Sequence, residues 1–229
     1  MKVSKMLIAM AVLLSLGLAS LAQADTGILV DFEFDATHQA PAPDSLGRYW
    51  NSAVYSSSYQ AVVSSLMDDA GNTITGAELY LYDQPYGRWH DGVTSSSITN
   101  YPGDVTWDNW YLFANDYDAE NPPHAGHNCF TEFSFRGLTA GDRYDVTVYG
   151  SRGDTTAANS AQLRVRVNNN DADIKLCYTG LEGKVVFEDI AVRADGTLNL
   201  DIWATGAGSD PRFDYAYINA FELQPVPEP

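Results

Sequence analysis

Between Gln84 and Glu120, flat rings and short oxygen-bearing side chains are interleaved. Tyr86, Trp89, Tyr101, Trp107, Trp110, Tyr111 and Tyr117 stand among Asp91, Asp104, Asp108, Asn109, Asp116 and Asp118, with Asp83 just ahead of the segment. Sugar recognition needs those two ingredients: aromatic faces for pyranose C–H groups, and carboxylates or amides for hydroxyls. Trp89, Trp107 and Trp110 are the candidate stacking rings, with Asp91 and Asp108 as the hydroxyl acceptors. The same rings could instead cap a hydrophobic core, because Trp is mostly buried wherever it occurs. An exposed ring pair beside carboxylates would mark a binding module. Buried rings would mark a structural protein, and two carboxylates facing each other across a cleft an enzyme.

Cation chemistry has weaker signals. Asp116, Asp118 and Glu120 place carboxylates at every second residue of a loop, a spacing that suits calcium and its several oxygen ligands. No central Gly or distal Glu completes an EF-hand. Asn168 to Asp173 has similar composition but reads as a hairpin turn. His124, His127 and Cys129 have zinc-ligand chemistry, without an established zinc spacing or an evident fourth ligand. Asp31, Glu33 and Asp35 share one face of a strand; they read as a solvated acidic edge or, alternatively, as a calcium site. Cys129 and Cys177, the two cysteines of the expected mature chain, could form one disulfide in an oxidising compartment.

Enzyme signatures are missing from the sequence. There is no Gly-x-Ser-x-Gly elbow, phosphate-binding loop, dinucleotide fingerprint or His-Glu-x-x-His. A non-catalytic protein is therefore expected, and no catalytic residue is assigned. The charge balance also narrows the partners. Residues 1–24 carry Lys2, Lys5, an apolar run from Met6 to Leu18 and Ala22-Gln23-Ala24, the pattern of a cleaved secretory signal peptide. Removing this leader, with its two lysines and no acid, takes the net charge from −17 to −19. Nucleic acid would be repelled by such a chain. No other apolar run is long enough to span a membrane. A secreted or cell-surface protein is expected.

The elements that must position these residues are strands. In Phe133-Ser134-Phe135 both rings share a face. After a Gly137–Asp142 turn, Tyr144, Val146 and Val148 face one way and Asp145, Thr147 and Tyr149 the other. Leu163, Val165 and Val167 alternate with Gln162, Arg164 and Arg166. Further strands are expected from Ile28 to Asp35, Ala61 to Met67, Thr75 to Tyr82, Ile174 to Tyr178, Lys184 to Val192, Thr197 to Thr205 and Phe213 to Leu223. Arg193-Ala194-Asp195-Gly196 reads as a tight hairpin. Period-two alternation with few helix signals predicts an all-β, antiparallel sandwich. One domain over residues 25–223 is expected, followed by a Pro-rich tail over 224–229.

The Gly137-Leu138 turn, the Tyr144-to-Arg152 strand ending Tyr-Gly-Ser-Arg, the opening Ile28-Leu29-Val30-Asp31-Phe32 and the closing Tyr217-Ile218-Asn219-Ala220-Phe221-Glu222-Leu223 together resemble a family of exported bacterial jelly-roll domains of galactose-binding-like type. The resemblance runs from about Ile28 to Leu223. It implies that the first and last strands are neighbours and that Trp50-Asn51 docks the following loop on the sandwich. Val226-Pro227-Glu228-Pro229 resembles the start of a PEP-CTERM sorting signal, which implies contact with sorting machinery; the hydrophobic helix and basic cluster of that signal do not follow here. The resulting expectation is a carbohydrate-binding module that recognises a polysaccharide or other glycan, with calcium as its conceivable structural ion. The alternatives are a purely structural surface or matrix protein and a polysaccharide-degrading enzyme.

Overall fold

A computed structural model describes residues 26–33, 43–44, 46–55, 60–83, 85, 87–89, 109–113, 129–150, 162–178, 183–205 and 215–227. The expected leader lies outside these residues. In chain order the strands are β1 (Ile28–Glu33), β2 (Asn51–Val54), β3 (Gln60–Val63), β4 (Glu78–Asp83), β5 (Gly87–Trp89), β6 (Asn109–Phe113), β7 (Phe130–Arg136), β8 (Arg143–Tyr149), β9 (Gln162–Val167), β10 (Lys175–Tyr178), β11 (Lys184–Ala191), β12 (Leu198–Thr205), β13 (Tyr215–Ile218) and β14 (Ala220–Pro225). The one helical element among the described residues is a 3-10 turn at Asp171–Asp173. None of their helices is long and apolar enough to cross a membrane.

The strands form a five-stranded sheet in the order β11-β8-β14-β1-β2, a six-stranded sheet in the order β10-β9-β12-β7-β4-β3, and a small sheet β13-β6-β5. Pairing is antiparallel except between β1 and β2. The expected neighbourhood of the first and last strands is present, with Ile28 opposite Leu223 and Asp31 opposite Ala220. The expected single final strand, however, is divided. Tyr215–Ile218 pairs with β6 in the small sheet. The chain changes sheets at Asn219, whose N–H donates to the Tyr149 carbonyl and whose own carbonyl accepts from the Phe32 N–H, both at 2.9 Å.

Alternation builds the core. Val30 and Phe32 of β1, Val146 and Val148 of β8, and Phe221 and Leu223 of β14 meet Leu79 and Leu81 of β4, Phe133 and Phe135 of β7, and Leu200 and Ile202 of β12 in one buried cluster. Phe32 is its hub. Its ring lies edge-on to Trp110 at 4.7 Å, Phe133 at 5.2 Å and Phe221 at 4.6 Å. Each such contact adds about 0.5–1.5 kcal/mol beyond area burial. The antiparallel β-sandwich of jelly-roll kind thus rests on the alternation visible in the sequence.

Turns follow the chemistry expected of them, with one change of role. The Arg193–Gly196 turn closes as expected, with the Arg193 N–H donating to the Thr197 carbonyl and the Gly196 N–H to the Arg193 carbonyl, both at 2.9 Å. It is not a hairpin, because β11 lies in the five-stranded sheet and β12 in the six-stranded one; local turn geometry does not reveal that the chain is crossing between layers. The Asn168–Asp173 segment is the hairpin turn between β9 and β10, with Asn168 and Asn169 at φ 51° and 60°. Gly137 has φ 73°, and a Cβ there would fall 2.1 Å from the Gly76 carbonyl oxygen. Two backbones meet at that point, which only glycine permits.

The loop before β2 is docked as the family resemblance implies. Trp50 is buried against Leu29, Tyr149 and Ala220 on the outer face of the five-stranded sheet. Its indole N–H donates to Asp44 Oδ2 at 3.0 Å. Asp44 also accepts from the Leu46 and Arg48 amides at 2.8 and 2.9 Å and from Arg48 Nε at 3.0 Å. Burial works against this carboxylate's charge, but the Trp50, Arg48 and Leu46 hydrogen bonds and the Arg48 charge prevail and hold its pKa below the usual value.

Candidate functional site

The sequence-derived ligand set does not assemble as one site among the described residues. Asp91, Trp107 and Asp108 lie outside them, as do Asp116, Asp118 and Glu120 of the candidate calcium loop. Trp89 is in β5, with its side chain outside the described residues. Trp110 is described, and it is a core residue with no exposed surface. Its indole N–H donates to the Glu33 carbonyl at 3.1 Å, and its ring lies against Phe32, Tyr55 and Phe133. It therefore cannot stack on a sugar. β6 is a strand of the small sheet rather than part of a loop, and its alternation turns Trp110 and Leu112 inward.

The acids of β1 also differ from the solvated edge expected of them. β1 sits between β14 and β2, so it is no edge, and Asp31 and Glu33 are fully buried. Ser52 Oγ on the neighbouring strand donates to Glu33 Oε1 at 3.0 Å. Asp35 lies outside the described residues, and no group of three or more metal-ligating side chains is found among those described.

The cysteine pair is opposed by sheet register. Cys177 is opposite Leu163 on β9, Leu163 is opposite Ala204 on β12, and the Ala204 N–H donates to the Cys129 carbonyl at 2.8 Å. The cysteines thus occupy one cross-strand row three strand spacings apart, roughly 14 Å at about 4.8 Å per strand. Disulfides need Cα atoms within about 7 Å, so the expected bridge does not fit this sheet.

What the structure does assemble is the outer face of the six-stranded sheet. β12, β7 and β4 are adjacent there, and the residues between their core-facing positions come together. One row runs from Arg166 on β9 to Asp201 on β12, Glu132 on β7 and Asp83 on β4. The next holds Asn199, Ser134 and Tyr80. Arg136 lies opposite Glu78, and its guanidinium donates to Glu78 Oε1 at 3.1 Å. That guanidinium also sits 3.6 Å from the Tyr80 ring centre and 4.8 Å from that of Tyr82. The two rings meet edge-on at 5.0 Å and 60°. A register shift between Leu81 and Asp83 brings Tyr82 out of the regular ladder, and it is 42% exposed.

The charges on this face are tightly placed. Asp201 is buried and receives Arg166 Nε and Nη2 at 2.8 and 2.7 Å; Arg166 also contacts Asp171. Burial pushes the Asp201 pKa up, Arg166 pulls it back, and Asp171 adds to the rise. Glu132 is partly exposed. Its pKa is raised by burial and then by the Asp201 and Asp83 charges, against the pull of Arg166. A raised folded-state pKa means that ionisation opposes folding. The cost is absent below the unfolded pKa and accrues as pH rises through the folded value. Glu132→Gln should therefore raise the melting temperature at neutral pH and leave it unchanged in acid. Equal melting at every pH would show that the carboxylate bears no such cost.

These residues were missed in the sequence although their signal is present. The inward set Ala77, Leu79 and Leu81 implies Tyr80 on the other face, and the inward Phe133 and Phe135 imply Glu132, Ser134 and Arg136 opposite. What is absent from the sequence is the strand order that brings the outward sets together.

No family model matches the chain, and no curated protein does. Among solved structures, the plant receptor-like kinase FER matches with a TM-score of 0.45 and 13% identity over 88% of this chain. The chain spans 42% of that receptor chain. The GH26-CBM35 β-(1,4)-mannanase of Podospora anserina matches over 53% of this chain and 28% of its own, at 18% identity and a TM-score of 0.29. TmCBM61, solved in complex with β-1,4-galactotriose, matches over 65% of this chain and 82% of its own, at 14% identity and a TM-score of 0.31.

Proposed function

We propose that the protein is an exported, non-catalytic carbohydrate-recognition module acting at the cell surface or in the extracellular matrix. The observation that carries this reading is Tyr82. Its ring is exposed on a sheet face, backed by Arg136 and Tyr80, with Glu132 and Asn199 on neighbouring strands of the same face. A pyranose unit stacks its C–H face on such a ring and directs its hydroxyls to the flanking carboxylate and amide. Trp89 and Trp107, with Asp91 and Asp108, would extend the contact. A structural calcium held by Asp116, Asp118 and Glu120 belongs to the same proposal, as does engagement of sorting machinery by the C-terminal tail. The burial of Trp110 favours a second reading, a structural surface protein without a small ligand.

A glycan array probed with the purified protein tests the two readings. Selective binding weakened about tenfold in Tyr82→Ala, the order expected for losing one stacking ring, with an unchanged melting temperature, supports the sheet-face site. Binding that survives in Tyr82→Ala but is lost in Trp107→Ala moves the site from the sheet face to Trp107. Absence of binding to any glycan leaves the structural reading. A melting temperature that falls in chelator supports the ion, and an unchanged one removes it. Release of new reducing ends from a bound glycan would overturn the non-catalytic assignment.

A further inference from the structure

We propose that Glu132 sets the charge class of the ligand: the face accepts uncharged pyranose chains and turns away glycans bearing carboxylate or sulfate groups. This inference rests on the carbohydrate-recognition reading and deepens it.

The argument is one of charge complementarity on the sheet. An anionic sugar lying against Tyr82 would need a cation to replace the water it gives up. The guanidinium against the tyrosines and the one in the Glu132 row are both committed. Arg136 is held by Glu78 at 3.1 Å and lies over Tyr80. Arg166 is held between Asp201 at 2.7 Å and Asp171. Drawing Arg166 away would strip a charge partner from Asp201, which is only 2% exposed, and breaking a buried pair is costly. The remaining partly exposed charge in the central row is Glu132 itself, flanked by Asp201 on β12 and Asp83 on β4.

The charged groups on this face around Glu132 are Asp201 of β12, Asp83 and Glu78 of β4, Arg136 of its own strand and, across β12, Arg164 and Arg166 of β9, with Asp171 beyond Arg166. Their balance is negative, in keeping with the direction of the Glu132 shift. A further anion would meet like charge, the arrangement by which interfaces exclude wrong partners. Neutral hydroxyls meet no such penalty, and a carboxylate accepts from them directly. As pH falls through the raised Glu132 pKa, the exclusion should relax.

The test compares wild type and Glu132→Gln by calorimetry against neutral hexaoses of glucose, mannose and galactose and against hexagalacturonate, at neutral and mildly acidic pH. The wild type should bind at least one neutral hexaose about tenfold or more tightly than the uronate at neutral pH, the scale of one unfavourable charge contact. Glu132→Gln should raise uronate affinity about fivefold or more, whatever it takes from the neutral chain by removing a hydroxyl acceptor, and acid should do the same to wild type but not to the variant. Equal affinity of wild type for the neutral and uronate chains, or a uronate affinity that Glu132→Gln does not raise, overturns the inference while leaving glycan recognition intact. Binding of none of these probes, together with an empty glycan array, overturns the recognition reading itself, and this inference with it.

Discussion

Trp110→Ala should destabilise the protein by about 3–5 kcal/mol, the cost of deleting a large buried aromatic side chain and leaving a cavity. The ring is fully buried and touches Phe32 at 4.7 Å, Tyr55 at 5.5 Å and Phe133 at 6.0 Å. It joins the small sheet to the sandwich core, because β6 supplies the indole while β1 and β7 supply Phe32 and Phe133. Its N–H also satisfies the Glu33 carbonyl at 3.1 Å. Trp110→Phe separates the two contributions. It keeps much of the volume, loses the hydrogen bond, and should cost less than the alanine variant by about 1–3 kcal/mol. Denaturant unfolding measures both. A Trp110→Ala variant that loses glycan binding while keeping wild-type stability would restore the ligand role suggested by the sequence and contradict the burial found here.

The case of Trp110 shows where the sequence stops being informative. Hydrophobic alternation correctly marks the core-facing side of β7, β8, β9 and β12, and in β9 burial itself alternates residue by residue. It does not reveal when the second side is covered as well. β1 alternates acid and apolar residues, yet all six of its residues are buried. A period of two separates the faces and says nothing about what packs on the second one. β2 is four residues long within a Ser- and Pro-rich stretch, too short to show a period. β6 lies in a segment dense with aromatic and turn residues, where nothing in the sequence marks Trp110 as the ring whose residue pairs with Ile218 and Arg88. The candidate ligand face was legible residue by residue in the outward positions of β4, β7 and β12. It becomes a surface only through a strand order in which β12, β7 and β4, distant in sequence, lie side by side.

Asn51 carries the second large effect. Asn51→Ala should cost about 2–4 kcal/mol, because three hydrogen bonds to buried or partly buried backbone groups are lost with nothing to replace them. The Asn51 amide donates from Nδ2 to the Leu29 carbonyl at 2.9 Å and to the Met67 carbonyl at 2.8 Å, and its Oδ1 accepts from the Met67 N–H at 2.7 Å. One side chain thereby ties β1 and β2, the parallel pair, to the segment linking β3 and β4, which belong to the other sheet. The amide is required for its combination of donor and acceptor, so isosteric Asn51→Asp is the more telling variant. A carboxylate could still accept from the Met67 N–H, but its second oxygen would face two carbonyl oxygens, and its charge would be buried at a position 2% exposed. The pKa of that new carboxyl would be raised. Stability would then be best retained in acid and lost as pH rises through the raised value, the opposite of an acid stabilised by its hydrogen bonds, such as Asp44. Denaturant unfolding across pH should show Asn51→Asp recovering part of its loss on acidification and Asn51→Ala remaining parallel to wild type. Wild-type stability in both variants would mean that the two sheets are held in register by side-chain packing alone.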